Sequence, residues 1–145
     1  MSTDTAQARS EAWTPTRTTI AALMAGETAT LVVASLLHSG LTVAGVHDPF
    51  SGAAIPEAVI AAVLATGAAS LVVRPSTAWG LPLGAVILAI VGFLVGVRFT
   101  VFGDGPTRVG DIVYHVAGLT LLVTTVALLL SPRGRLGPRD RADRV

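Results

Sequence analysis

Apolar residues form four long stretches along this chain, separated by short polar breaks. A helix that crosses the hydrocarbon core of a bilayer needs about 20 mostly apolar residues, and helices satisfy their own backbone hydrogen bonds in lipid. The pattern therefore predicts four transmembrane helices. We place them at about residues 18–41, 56–73, 81–102 and 109–130.

The breaks between the stretches carry residues typical of turns. They contain, in order, His47–Pro49 with Ser51 and Gly52, then Arg74–Ser76, then Gly103–Pro106. Pro56 suits the first turn of the second helix, where its missing N–H costs nothing. Short connections place consecutive helices side by side and antiparallel. The predicted fold class is an all-α integral membrane protein, an up-down bundle of four transmembrane helices.

Polar segments flank this membrane domain, which covers residues 18–130. Residues 1–17 are polar and lack the features of a cleavable signal peptide, so we expect a cytoplasmic N-terminal segment. Residues 131–145 begin with Ser131-Pro132 and are rich in Arg, Gly and Pro. That composition predicts a disordered cytoplasmic tail.

Composition agrees with a membrane protein and excludes several kinds of site. Of the 145 residues, 52% are hydrophobic and 13% charged, whereas about 25% of a soluble domain is charged. The chain has no cysteine, which excludes disulfides, thiolate metal sites, iron–sulfur clusters and cysteine nucleophiles. All the basic residues are arginine, and the Ala-, Gly-, Val- and Arg-rich composition fits a GC-rich bacterial genome.

The arginines predict how the bundle is oriented. Cytoplasmic loops of membrane proteins carry an excess of Lys and Arg. With four spans, only Arg98 and Arg108 fall on one side of the membrane. The other eight fall on the opposite side: Arg9, Arg17, Arg74, Arg133, Arg135, Arg139, Arg141 and Arg144. We therefore expect a multi-pass protein of the cytoplasmic (bacterial inner) membrane with both termini cytoplasmic.

Small residues at four-residue spacing indicate where helices approach one another. Close packing drives helix association in lipid, and small residues permit it. Such rows are Gly92 and Gly96 on the third helix, Ala61, Ala65 and Ala69 on the second, and Ala21, Ala25 and Ala29 on the first. We interpret them as packing within the bundle. A homo-oligomer that pairs through such a face, above all through Gly92 and Gly96, is the alternative.

Ionisable side chains gather at the side that we predict to be outer. A charge inside a bilayer costs about 2.5–3.5 kcal/mol on insertion scales, and such residues usually serve a function. The ends of helices one and three meet the starts of helices two and four on that side. We predict that one outward-facing cavity is surrounded by His38, Glu57, Arg98, Asp111, Tyr114 and His115.

Glu27 is the deepest of the ionisable residues. It precedes His38 by eleven residues, which places the two on one helix face about 16 Å apart. A carboxylate near the bilayer centre can exchange a proton or neutralise a cation. Our first hypothesis is a small membrane protein that binds or translocates a small solute, cation or proton through Glu27 and the His38/His115 cluster.

Several members of the cluster also have an ordinary structural interpretation. Glu57 can favour the helix dipole in a first turn, as can Asp111, which can also pair with Arg98. Arg98 can extend to the outer headgroups. His47 and Asp48 suit a solvated turn before a proline.

A metal or haem site is the second hypothesis, because His38 and His115 lie on separate helices at similar depth and can ligate one metal ion or haem. Glu57 or Asp111 would assist. The third hypothesis is a noncatalytic subunit of a larger membrane complex.

Enzyme motifs are weak in this sequence. There is no H-x-x-x-H, H-E-x-x-H or E-x-x-H pair, Ser35 and Ser70 lack a G-x-S-x-G context, and no glycine loop resembles a phosphate cradle. The short basic tail also carries Asp140 and Asp143. We expect it to meet anionic lipid headgroups rather than nucleic acid.

Overall fold

Four long helices make up most of the computed structural model, which describes residues 15–73, 79–103 and 108–131. They are α1 (Pro15–His38), α2 (Ser51–Val73), α3 (Gly80–Phe102) and α4 (Val109–Leu130). A two-stranded antiparallel ribbon of β1 (Thr42–Val43) and β2 (Val46–His47) connects α1 with α2. The predicted all-α bundle is confirmed. The N-terminal segment as far as residue 14 and most of the tail lie outside the described residues.

All four helices are long and apolar enough to cross a membrane, at 22 to 24 residues each. Many large apolar side chains are exposed on them, among them Val59, Leu94 and Val123. Exposed apolar surface on this scale is what lipid contact requires. The chain is therefore a multi-pass membrane protein whose helices contact the bilayer.

The α1 helix ends at His38, three residues before the predicted boundary, because of a glycine. Gly40 has a φ of +94°, a left-handed conformation that glycine adopts without steric cost. Its N–H donates to the Leu37 carbonyl (3.0 Å), and the Leu41 N–H donates to the Leu36 carbonyl (3.1 Å). This pair of bonds is a Schellman motif, which closes a helix.

The chain reverses direction in the connection that follows α1. Ala44 and Gly45, with φ of +48° and +82°, make the tight turn between β1 and β2, in the manner of hairpin turns that need two positive φ values. After the ribbon, the Phe50 N–H donates to the His38 carbonyl (3.0 Å). The start of α2 is thereby held at the end of α1.

The α2 helix begins at Ser51, five residues before the predicted start, so Pro56 lies inside the helix. The prediction that Pro56 occupies the first turn was wrong. A proline in that position removes one interior hydrogen bond. The buried face of α2 nevertheless extends on both sides of it, through Ala54, Glu57 and Ala61, and its packing holds the helix continuous.

Each helix packs against the next along the chain, and α4 packs against α1, which closes a ring of four. At one end the Ser35 hydroxyl donates to the Ala54 carbonyl (2.7 Å), which joins α1 to α2. At the other end the Arg17 guanidinium lies 5.3 Å from the centre of the Trp79 ring, near the starts of α1 and α3. We call the first the histidine end, because it holds His38 and His115.

The predicted packing rows are only partly buried. Ala61 is buried, but Ala65 and Ala69 are exposed, as are Ala25 and Ala29 on α1. A four-residue step turns the helix about 40° beyond a full turn, so a row of such steps leaves the buried face. The face of α2 that packs instead combines steps of three and four residues: Ala54, Glu57, Ala61, Leu64, Gly67 and Leu71. Ala65 is exposed and lies outside this buried face.

Glycines permit the closest helix contacts. A Cβ at Gly92 would collide with Ile60 of α2, and one at Gly96 would collide with His115 of α4. These two glycines, predicted to pack, thus face neighbours within the bundle.

Gly67 is suited to a stability test because α3 and α1 both press against it. A Cβ there would lie 2.8 Å from the Ala85 Cβ and 2.9 Å from the Met24 Cε. We expect Gly67→Ala to lower the free energy of unfolding by about 1–3 kcal/mol through overpacking. Gly84→Ala is the control, because Gly84 has open space around it. Detergent-based unfolding followed by circular dichroism measures both, and equal stabilities would contradict the packing of α2 on α3.

Candidate functional site

A cavity of about 200 Å³ lies between the four helices at the histidine end. Five of the predicted site residues line it: His38, Glu57, Asp111, Tyr114 and His115. Sites for drug-sized ligands usually measure about 300–1,000 Å³. The cavity therefore suits a smaller ligand.

An ion pair joins α1 and α2 in the wall of this cavity. His38 Nδ1 lies 2.7 Å from Glu57 Oε2, and both side chains are largely buried. The Schellman ending and the Phe50 bond bring the end of α1 to the second turn of α2, which makes this contact possible. Glu57 thus pairs with a specific side chain in the cavity wall. A favourable interaction with the helix dipole would not by itself require this contact.

His115 is held in one orientation by its own helix. Its Nδ1–H donates to the Asp111 carbonyl (2.7 Å), so in the neutral ring Nε2 is an acceptor. Nε2 lies against the bare backbone of Gly96. Gly96, which the sequence suggested only as a packing residue, thus makes room for the imidazole.

Aromatic rings form much of the remaining wall. Phe93, Tyr114 and His115 contact one another, with ring centres 5.3–5.8 Å apart, and Phe50 meets His38 edge-on at 6.0 Å. Phe50 and Phe93 were not predicted to line the cavity. Phe93 lies on α3, where apolar residues surround the helix except at Arg98 and Thr100, so hydropathy did not distinguish its inward face. The sequence signal for its direction was its spacing of three residues from Gly96, which places the two residues on the same face of the helix.

Glu27 lies deeper than the cavity. Its side chain is 2% exposed, and its Oε1 atom has no hydrogen-bond partner among the residues that the structure describes. Leu31, one helical turn from Glu27 on the same face, lines the cavity, whereas Glu27 is not among the residues that line it.

Tyr114 also has a buried oxygen without a partner in the described part of the chain. Buried polar atoms are normally hydrogen-bonded in native proteins. The Tyr114 hydroxyl is thus, with Glu27 Oε1, one of two buried side-chain atoms without a partner within the described residues.

Arg98, which we predicted to surround the cavity, does not line it. Its side chain is exposed, and its guanidinium lies 5.6 Å from the centre of the Phe102 ring. Asp111 was considered as an ion-pair partner of Arg98. It instead caps α4, where its carboxylate accepts a hydrogen bond from the backbone N–H of Arg108 (3.1 Å). A side chain as long as arginine has enough reach that its direction does not follow from its position on the helix.

A second ion pair fixes the connection between α1 and α2. Arg108 Nη1 donates to Asp48 Oδ1 (2.6 Å), which joins this connection to the start of α4. Asp48 was interpreted as a solvated turn residue, and this contact gives it a specific role.

Some features of the cavity fit a metal or haem site, and others do not. Metal-ligating histidines usually donate their second ring N–H to a carboxylate or a carbonyl, as His38 and His115 do here. Within residues 15–73, 79–103 and 108–131, however, no three His, Asp or Glu side chains are grouped to hold a metal ion. A haem is larger than a cavity of about 200 Å³ accommodates, so the residues present do not fit that group.

Comparison with protein-family models, with curated proteins and with solved structures gave no match. The features of the molecule that bear on function are therefore the cavity, the His38–Glu57 pair and the buried carboxylate of Glu27.

Proposed function

We propose that this protein binds a small cation or a proton in the cavity at the histidine end and translocates it across the membrane by way of Glu27. The observation that carries the proposal is a cavity lined by ionisable groups with a buried carboxylate one turn beneath it. Intramembrane ionisable residues most often mark ion or substrate pathways.

The proposed topology is an up-down bundle in the cytoplasmic membrane, with both termini cytoplasmic and the histidine end outside. The contact of Arg17 with Trp79 supports it, since it brings the starts of α1 and α3 to one end. In the sequence, eight of the ten arginines precede residue 18, lie between α2 and α3, or follow α4. Because cytoplasmic loops are enriched in arginine, the cavity then opens outward.

Passage beyond the cavity requires a movement of Leu31, which is 1% exposed. Below it, the Glu27 carboxylate, whose Oε1 has no partner within the described residues, carries a desolvation cost while it is charged. A proton or a cation that reaches Glu27 neutralises this charge and removes the cost. Glu27 is thus an inner binding position that favours a positively charged ligand.

The test is flux through Glu27→Gln in proteoliposomes, driven by a potassium gradient with valinomycin. A pH-sensitive dye trapped inside reports proton flux, and a potassium-sensitive dye in vesicles without valinomycin reports cation flux. We expect wild-type flux above that of empty vesicles and a fall to the empty-vesicle level in the variant, because glutamine cannot exchange a proton or neutralise a cation.

Thr124→Val is the matched control. Thr124 lies on the exposed side of α4, where its hydroxyl donates to the Thr120 carbonyl (2.8 Å). The flux through the Thr124→Val variant should therefore equal that of the wild type. Undiminished flux in Glu27→Gln would remove Glu27 from the pathway. Wild-type flux no greater than in empty vesicles would reject translocation of both ions.

A further inference from the structure

We infer that the ligand of the cavity is a small organic ammonium ion, an amine that carries methyl or other short alkyl groups. The inference rests on the proposed function and names the class of ligand. Three features of the described lining carry it: its charge, its aromatic rings and its shortage of metal-coordinating groups.

The charge of the lining favours a cation. The carboxylates of Glu57 and Asp111 line the cavity, and the described lining contains no arginine. Both arginines nearest to the histidine end are directed elsewhere, since Arg108 pairs with Asp48 and Arg98 lies over Phe102. The chain contains no lysine. An anionic ligand would therefore meet carboxylates without a compensating positive side chain other than a histidine.

His115 strengthens this preference. Its Nδ1–H donates to the Asp111 carbonyl, so in the neutral ring Nε2 is an acceptor. The positive charge of His38 in its ion pair is balanced by Glu57. His115 and the carboxylate of Asp111 thus offer acceptors to a ligand, and an ammonium N–H group is the matching donor.

The aromatic rings fit an ammonium ion that carries alkyl groups. Phe50, Phe93, Phe99 and Tyr114 line the cavity, and aromatic rings attract ammonium groups through their π electrons, most strongly where water is excluded. Leu31 and Ile60 complete an apolar wall against which alkyl groups can pack. A small ligand is required because the cavity measures about 200 Å³.

An inorganic metal ion is a poorer match. Hard cations take six or more oxygen ligands in proteins, and the described residues offer no group of three His, Asp or Glu side chains around one point. An organic ammonium ion needs no such shell, because its alkyl groups replace water with apolar contacts.

Tyr114 provides a direct readout of binding, because it is the single tyrosine of the chain and lines the cavity. Protein with ¹³C-labelled tyrosine rings, held in nanodiscs, gives one ring spin system. Titration with trimethylammonium chloride, which has one N–H donor and three methyl groups, should produce a saturable shift of that resonance, and potassium chloride at equal ionic strength should not.

Two phenylalanines make a matched pair of variants. Phe99 lines the cavity, whereas Phe102, three residues further along α3, does not. We expect Phe99→Leu to weaken trimethylammonium binding by roughly three- to tenfold, the range of a partly desolvated cation–π contact, and Phe102→Leu to leave it unchanged. Both variants keep an apolar side chain on the same helix, which preserves folding.

The results of these binding experiments distinguish a failure of the ammonium assignment from a failure of the proposed function. A shift that potassium chloride produces equally, or the absence of a saturable shift, overturns the ammonium assignment. If Glu27-dependent flux persists in that case, the proposed function stands without it. Equal weakening by Phe99→Leu and Phe102→Leu would also overturn the assignment, since it would place the ligand outside the cavity.

Discussion

Replacing Glu27 with methionine should stabilise the bundle by about 1–3 kcal/mol, the range in which burial of an uncompensated polar or charged group is costly. Methionine is similar in length and flexible, so it can fill the same space. Glu27 is 2% exposed and its Oε1 is unpaired within the described residues, so the substitution removes a desolvation cost and breaks no hydrogen bond to that atom. A residue retained at a cost to stability points to function.

The measurement is the free energy of unfolding in mixed micelles, followed by far-ultraviolet circular dichroism as the denaturing detergent increases. Thr125→Val is the control. Thr125 is as deeply buried, at 1% exposed, but its hydroxyl donates to the Leu121 carbonyl (2.9 Å), so its replacement should change stability by less than about 1 kcal/mol. A Glu27→Met protein less stable than the wild type would show that the carboxylate is compensated in the membrane.

Removing either member of the His38–Glu57 pair should destabilise the bundle by about 3–5 kcal/mol, because the other is left buried without its partner. We expect the double variant His38→Ala/Glu57→Ala to lose less than the sum of the two single variants. The difference measures the coupling between α1 and α2 across the 2.7 Å contact. This pair is the most buried ion pair that the described residues contain, so its effect should exceed that of any exposed charge.

Ser35→Ala supplies the comparison for this double-mutant cycle. The Ser35 hydroxyl also joins α1 to α2, through the Ala54 carbonyl (2.7 Å), but neither group is charged. Its loss should cost about 1 kcal/mol and should add to the effect of Glu57→Ala without coupling. Additive losses for His38 and Glu57 would show that their contact contributes nothing to stability.

Hydropathy predicted the four helices because length and apolar content decide whether a segment can span a bilayer. The helix ends were less predictable. α1 ends where Gly40 adopts a left-handed conformation. The pattern of apolar residues does not indicate this conformation. The α2 helix continues through Pro56, because packing of its buried face outweighs the one hydrogen bond that proline removes.

The site was predicted in outline and missed in detail. Placing the helix ends on two sides brought His38 and Glu57 together correctly, since both lie near helix ends joined by a short connection. Arg98 was misplaced because a long side chain can turn away from the face that its Cα suggests. Phe93 was missed because α3 has apolar residues all around it, apart from Arg98 and Thr100 near its end, so sequence alone did not show which residues face inward.

The bare backbone of Gly96 against His115 Nε2 has a consequence for natural variation. The two positions share one space, so evolution can enlarge one only by reducing the other. In related sequences a histidine at 115 should occur with glycine at 96, and an alanine or larger residue at 96 should accompany a smaller residue at 115. Such paired change would mark which relatives keep an imidazole in the cavity and which have given it up.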